Sequence, residues 1–141
     1  MQRRDFLLTG CKACAALLAA PALASLQGCA STKSVAFTEE GSLVKVPMTA
    51  FAQRNAVVVQ PKSLMNGLLV VKEPTGGYKA FLMKCPHKGQ PLGLVGNVAH
   101  CEAHGSEFDL AGNVVKGPAR SALKSYPASA DGDQVRIDLK G

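Results

Sequence analysis

The chain is short and poor in several residue types that mark large protein classes. Its 141 residues include no Trp and only three His, and aromatic residues make up 5% of the chain. This length favours one domain and excludes a multidomain enzyme. The 16 Lys and Arg exceed the 10 Asp and Glu, giving a formal charge of +6, yet no block of like charge occurs. Without a basic arm, nucleic acid is not expected as a partner.

The first residues have the features of an export signal. Arg3 and Arg4 precede an uncharged, Ala- and Leu-rich run over residues 13–24. This order resembles a twin-arginine signal peptide, in which a cationic end stays at the cytoplasmic face. The alternative is an N-terminal membrane anchor, but the apolar run is shorter than a stable span needs. We therefore predict a signal peptide over residues 1–28, export by the twin-arginine route and a periplasmic location.

Cys29 follows a motif that indicates lipid attachment. Leu26-Gln27-Gly28-Cys29 resembles a bacterial lipoprotein box, whereas Ala22-Leu23-Ala24 spells an ordinary cleavage site. The Ser- and Thr-rich run that follows Cys29 suits a tether, and an exported Cys needs a fate other than a free thiol. We favour lipidation of Cys29, a tether over residues 29–41 and anchoring to a membrane through the lipid.

The rest of the chain is patterned as short strands. Runs rich in Val, Leu and Phe alternate with turn residues at near-regular spacing, which is typical of an all-β sandwich or barrel. The predicted strands are 43–46, 56–60, 68–72, 78–83, 113–115, 123–126 and 134–139. After residue 30 no helix of ordinary length is predicted, and the best helical candidate, 61–66, is about one turn.

Two short motifs carry the chemistry of the chain. Cys85-Pro86-His87 and Cys101-Glu102-Ala103-His104 each place a thiol and an imidazole a few residues apart, in a segment rich in Gly and Pro. Together they offer two sulfur and two nitrogen ligands. That set suits a tetrahedral zinc ion or a [2Fe–2S] cluster with Cys on one iron and His on the other. The spacing is unlike the Cys-x-x-Cys knuckle of zinc ribbons.

The residues that follow the second motif resemble a Rieske iron–sulfur protein. His104-Gly105-Ser106-Glu107-Phe108-Asp109 and Gly117-Pro118-Ala119-Arg120 carry this resemblance. It implies a Rieske domain over residues 42–141, with an antiparallel β sandwich or barrel base and an inserted cluster-binding subdomain at about 84–120. It also implies a role in cluster binding for a set of residues: Cys85 and Cys101 on one iron, His87 and His104 on the other, Ser106 as a hydrogen-bond donor, Gly105 for close backbone approach, and Pro118 in a covering loop.

Three departures from the family pattern refine this interpretation. The stretch between the two motifs, residues 88–100, is shorter than usual, so the hairpin joining the two loops should be trimmed. Gln90 and Ala103 occupy the places of a disulfide found in respiratory members, so no disulfide is expected. Phe108 stands where high-potential members have a Tyr that donates to the cluster. One donor in place of two predicts a reduction potential in the middle of the Rieske range, which spans roughly −150 to +300 mV.

The resemblance implies an exported one-electron carrier, not an enzyme, that works at a membrane surface with a redox protein or a membrane oxidoreductase as its partner. An electron-transfer subunit of a larger oxidoreductase or quinol-oxidising complex is the alternative. A structural zinc module is a third possibility. The chain is too short to add the mononuclear iron domain of a self-contained oxygenase. Lys84, Lys88, Lys116, Arg120 and Lys124 either ring the cluster or form ordinary solvated surface.

Overall fold

The computed structural model describes residues 35–141. The predicted signal, Cys29 and the first six residues of the predicted tether, 29–34, lie outside the described residues. Within residues 35–141 no helix is both long and apolar enough to cross a membrane.

The described chain is all-β, as the sequence pattern predicts. Its only helical element is a 3₁₀ turn at Met48–Phe51. The twelve strands are β1 Thr38–Glu40, β2 Leu43–Pro47, β3 Ala56–Val59, β4 Leu68–Lys72, β5 Tyr78–Leu82, β6 Gly93–Val95, β7 Val98–His100, β8 Glu107–Phe108, β9 Val114–Lys116, β10 Ser125–Tyr126, β11 Ala128–Asp131 and β12 Gln134–Asp138.

The strands form three antiparallel sheets of four strands each. The first base sheet has the order β1-β2-β12-β11 and the second has the order β10-β5-β4-β3. The third, which we call the insert sheet, has the order β6-β7-β8-β9. Strands β5 and β10 are hydrogen-bonded neighbours in the second base sheet, and all four strands of the insert sheet lie between them along the chain. The predicted inserted subdomain is therefore present as a topological unit.

Strand β4 explains how the sheets are held together. Successive side chains of a strand point to opposite faces. Leu68 and Val70 face the first core, which lies between the base sheets and includes Val44 and Ile137. Leu69 and Val71 face a second core, shared with the insert. Burial on both faces accounts for the uninterrupted apolar run of β4.

Every strand predicted from the sequence is present, with ends that shift by up to two residues. Residues 61–66 form a turn, and the whole of β1 lies within the segment 29–41 predicted as tether, where it pairs with β2. Five strands were not predicted: β1, β6, β7, β8 and β11. They are two to four residues long, so each carries too little alternation to stand out from the turns around it.

Gly112 marks a close approach between the insert and the second base sheet. It has φ +80°, and a Cβ there would lie 2.6 Å from Cε1 of Phe81. Its N–H donates to the carbonyl of Asp109, and its own carbonyl accepts from the N–H of Leu123. The residue therefore cannot be replaced without moving either the aromatic ring or the backbone.

We expect Gly112→Ala to lower the free energy of unfolding by about 2–4 kcal/mol, from left-handed backbone strain together with overlap on Phe81. Gly76→Ala is the matched control, because Gly76 has φ +90° but nothing within 4 Å of a Cβ. The control should lose only the backbone part, about 1–2 kcal/mol. Chemical denaturation followed by circular dichroism measures both, and equal losses would show that contact with Phe81 is unimportant.

Candidate metal centre

The first ligand motif lies in a six-residue loop, residues 85–90, which we call loop 1. The N–H of Cys85 donates to the carbonyl of Gln90 at 2.7 Å, and the N–H of Gly89 donates to the carbonyl of Cys85 at 2.8 Å. Gly89 has φ +73°, a conformation that favours glycine. These two bonds close the loop on itself.

Loop 2, residues 101–106, repeats the same backbone frame. The N–H of Cys101 donates to the carbonyl of Ser106 and the N–H of Gly105 to the carbonyl of Cys101, both at 2.8 Å. Gly105 has φ +75°, and no atom of residues 35–141 other than those of Gly105 and its two chain neighbours lies within 4 Å of the position that a Cβ would take. The positive φ is therefore sufficient reason for a glycine at this position. The close approach of its amide to a cluster stays a prediction.

The thiols of the two loops lie inside the protein. Cys85 and Cys101 are fully buried, form no disulfide and belong to the second core. The loops follow β5 and β7, so the strands fix the position of each Cys at the point where its loop leaves the sheet. Buried, unpaired thiols are either inert core residues or ligands for a metal.

The imidazoles lie nearer the surface and are adjacent, with the edge of one ring toward the face of the other. The rings of His87 and His104 have centroids 4.9 Å apart and an interplanar angle of 84°. His87 is half-buried and His104 is exposed. Nδ1 of His87 is buried without any hydrogen-bond partner. Because buried polar atoms are nearly always paired, this orphaned nitrogen is suited to bind a group that the chain itself does not supply.

The surroundings of His87 favour its neutral form. Its pKa is lowered from the usual value of 6.5, first by desolvation and then by the positive charges of His104, Lys88 and Arg120. A lower pKa means that the proton is lost at a lower pH, so the neutral ring persists over a wider range. Neutral imidazole is the form that binds metals.

A third segment, residues 117–119, closes onto loop 2. Ser106 is fully buried, and its Oγ accepts a hydrogen bond of 3.0 Å from the N–H of Ala119. This leaves the hydroxyl hydrogen free to donate, as the predicted bond to a cluster sulfur requires. Pro118 follows a cis peptide bond and is exposed, while Ala119 is buried.

His100 has different neighbours from the other two histidines. It is a residue of β7 paired with Glu107, and its Nδ1 is 3.7 Å from Oε1 of that residue. Among residues 35–141, no group of three or more His, Cys, Asp or Glu side chains could hold a single metal ion. A Rieske cluster makes a smaller demand, since each of its irons takes two protein ligands.

Comparison with known proteins identifies the family. A family model described as Rieske [2Fe-2S] domain matches residues 45–127. The chain belongs to this family. The matched region contains both loops and the segment that closes onto them. The Rieske assignment brings a [2Fe–2S] cluster as the cofactor and replaces the zinc alternative.

Individual relatives agree with the family. The chain is 39% identical over 55 residues to the cytochrome b6-f complex iron-sulfur subunit of Synechococcus sp. (strain JA-2-3B'a(2-13)), which covers 38% of this chain and 32% of that protein. It is 31% identical over 71 residues to the same subunit of Chlorobaculum thiosulfatiphilum, over 49% of this chain and 39% of that protein. The chain thus matches less than half of the length of either subunit.

A solved structure shares the fold. The cyanobacterial plasma membrane Rieske protein PetC3 from Synechocystis PCC 6803 superposes with a TM-score of 0.56 over 65% of this chain and 94% of that chain, at 23% identity. At this identity the likeness concerns the fold alone.

The residues of the two loops fit the cluster of this Rieske domain. The donor set is two buried free thiols and two imidazoles, one with an orphaned Nδ1. Sequence reasoning did not foresee the paired backbone frames or the bond from Ala119 to Ser106. The one available signal was a Gly at the fifth position of each loop.

Phe108 generates a prediction about the reduction potential. It is fully buried in the second core, two residues from Ser106. We expect Phe108→Tyr to raise the potential, because a new hydroxyl donor to the cluster favours the reduced, more negative state. A bond stronger by about 1.4 kcal/mol in the reduced state corresponds to roughly 59 mV for one electron. Protein-film voltammetry measures this shift, and an unchanged or lower potential would contradict it.

Proposed function

We propose that Cys85 and Cys101 bind one iron of the cluster and that His87 and His104 bind the other. The observation that carries the proposal is the pairing of two buried, unpaired thiols with two adjacent imidazoles on loops of identical backbone frame. Cys85 and Cys101 form the buried end of the site, which we call the thiol pole and from which water is excluded. The imidazoles suit the other pole, which reaches the surface.

We propose that the protein is a one-electron carrier. A bound [2Fe–2S] cluster supplies one-electron oxidation and reduction. The chain surrounds the thiol pole with apolar residues such as Met83 and Leu92, whereas His104 is exposed. An electron therefore has its shortest protein path to a partner through the histidine pole. If Nδ1 of His87 binds iron, Nε2 is the atom at which that ring gains or loses a proton.

We further propose that the carrier is exported and held at a membrane by lipid on Cys29. Support comes from the twin-arginine pair, the uncharged run and the lipoprotein box, all in the sequence that precedes the described residues. The carrier would then work at a periplasmic membrane surface, next to a membrane oxidoreductase or another redox protein.

A second candidate function is an electron-transfer subunit of a larger complex. It is favoured by the sequence relatives, whose names identify them as subunits of the cytochrome b6-f complex. Gentle solubilisation of the membranes followed by affinity purification distinguishes the two functions. A stoichiometric partner with its own redox centre supports the subunit, and the chain alone supports the carrier.

Substitution of the histidines tests the ligand set. We expect His104→Gln to abolish the Rieske signal in the electron paramagnetic resonance spectrum of the reduced protein and to lower bound iron, because Gln offers no imidazole nitrogen. His100→Gln is the control, since His100 is not among the four proposed ligands and its Nδ1 lies 3.7 Å from Oε1 of Glu107. That variant should keep both the signal and its iron. Retention of the signal in His104→Gln, or its loss only in His100→Gln, would refute the assignment.

Intact mass of the mature protein tests the lipid. We expect a chain that begins at Cys29 and carries the added mass of acyl chains, since lipidation precedes cleavage at a lipoprotein box. Cys29→Ser should lose that mass and leave the membrane fraction. The control is Cys11→Ser, which should change neither, because Cys11 lies within the predicted signal peptide and is removed by cleavage. An unmodified chain beginning at Ser25 would instead show ordinary cleavage after Ala24.

A further inference from the structure

Three basic side chains lie on loop 1 or directly beside the two loops, and we call them the basic face: Lys84, Lys88 and Arg120. All three are exposed. Lys88 follows His87 directly in loop 1. The side chain of Lys84 lies against the same loop, with its Nζ 3.8 Å from the Cβ position of Gly89. Arg120 follows Ala119, whose N–H bonds to Ser106 of loop 2.

The charges of the basic face are not neutralised within the described chain. Across residues 35–141, no carboxylate lies within 4.0 Å of any of these three side chains, whereas three other lysines form ion pairs: Lys45 with Glu40, Lys79 with Glu73 and Lys116 with Glu107. Lys124 is engaged differently, with its Nζ 4.8 Å from the ring centroid of Tyr126. No basic residue of the basic face is thus paired with a carboxylate among the described residues; other unpaired basic residues, such as Lys72 and Arg136, lie on the base sheets.

Of the three acidic residues near the site, Glu107 and Asp109 have partners within the chain and Glu102 has none among the described residues. Glu107 is paired with Lys116, and the carboxylate of Asp109 accepts hydrogen bonds from Ala111 and Asn113. Glu102 is exposed on loop 2, while loop 1 has no acidic residue. The charge around the histidine pole is therefore unequal, being basic on the side of loop 1 and the 117–119 segment. Lys88 and Arg120 also act on His87, since their charges follow desolvation and His104 as causes of its lowered pKa.

We propose that the basic face is the docking surface for an acidic redox protein, which places its own redox centre against the histidine pole. This inference rests on the proposed function as an electron carrier and names the charge of its partner. Complementary charge raises association rates and fixes orientation. A protein partner is favoured over an anionic membrane because a lipid surface on this face would cover the path by which the electron leaves.

The test uses one acceptor in two charge states. Reduced protein is mixed in a stopped-flow instrument with native cytochrome c, which is basic, or with the same cytochrome c after succinylation of its lysines, which is acidic. One electron passes from the reduced protein to the ferric haem. The second-order rate constant for the acidic form should fall steeply as salt is added, because screening weakens the attraction. The rate constant for the basic form should not fall.

Charge reversal then locates the surface. The double variant Lys88→Glu with Arg120→Glu should slow reduction of succinylated cytochrome c about tenfold or more at low ionic strength and speed reduction of the native form. The control double variant, Lys72→Glu with Arg136→Glu, removes the same net charge on exposed residues of β4 and β12 in the base sheets. It should have a clearly smaller effect. Calorimetric titration with both proteins oxidised measures binding without electron transfer. The affinity for succinylated cytochrome c should be lowest for Lys88→Glu with Arg120→Glu and closer to that of the unsubstituted protein for the control.

Several outcomes would overturn the docking surface while leaving the carrier function standing. Equal effects of the two double variants would mean that net charge acts and not the basic face. A rate independent of salt would exclude electrostatic docking. Loss of sedimentation with phosphatidylglycerol vesicles in Lys88→Glu with Arg120→Glu, at unchanged rates, would assign the face to a membrane. Failure of the proposed function appears differently, as absence of a Rieske signal or of any reduction of either cytochrome c.

Discussion

The arrangement of the metal centre depends on one strand that is buried on both faces. Strand β4 sends Leu68 and Val70 into the core between the base sheets and Leu69 and Val71 into the core shared with the insert. The insert therefore has no separate core of its own. Cys85 and Cys101 are members of that shared core, so the thiol pole is held by the same packing that holds the sheets together.

The two loops have the same backbone hydrogen bonds but differ in the position of the histidine. In each, the Cys N–H and carbonyl are both used by the backbone of the same loop, and a Gly with positive φ permits the turn. The His is the third residue of loop 1 and the fourth residue of loop 2. Despite this offset, the rings of His87 and His104 form an edge-to-face pair. The placement of the four candidate ligands thus depends on backbone hydrogen bonds that a side-chain pattern does not reveal.

Charge is distributed less evenly than the composition suggests. A formal charge of +6 without any basic block describes a chain with scattered Lys and Arg. In the fold, Lys79 and Lys116 form ion pairs with carboxylates, whereas Lys88 and Arg120 have no carboxylate within 4.0 Å among the described residues. Position relative to carboxylates, and not the number of charges, determines where a field reaches solvent.

The sequence by itself determined the all-β class, the long strands, the four candidate ligands and the absence of the family's disulfide, because these depend on residue type and on alternation over four or more positions. Only the tertiary structure decided the insert sheet, the paired loop frames and the bond from Ala119 to Ser106. Strands of two or three residues gain their stability from pairing and shared burial, which local pattern cannot express. Backbone carbonyls and amides are the same in every residue, so their partners become visible only once the chain is folded.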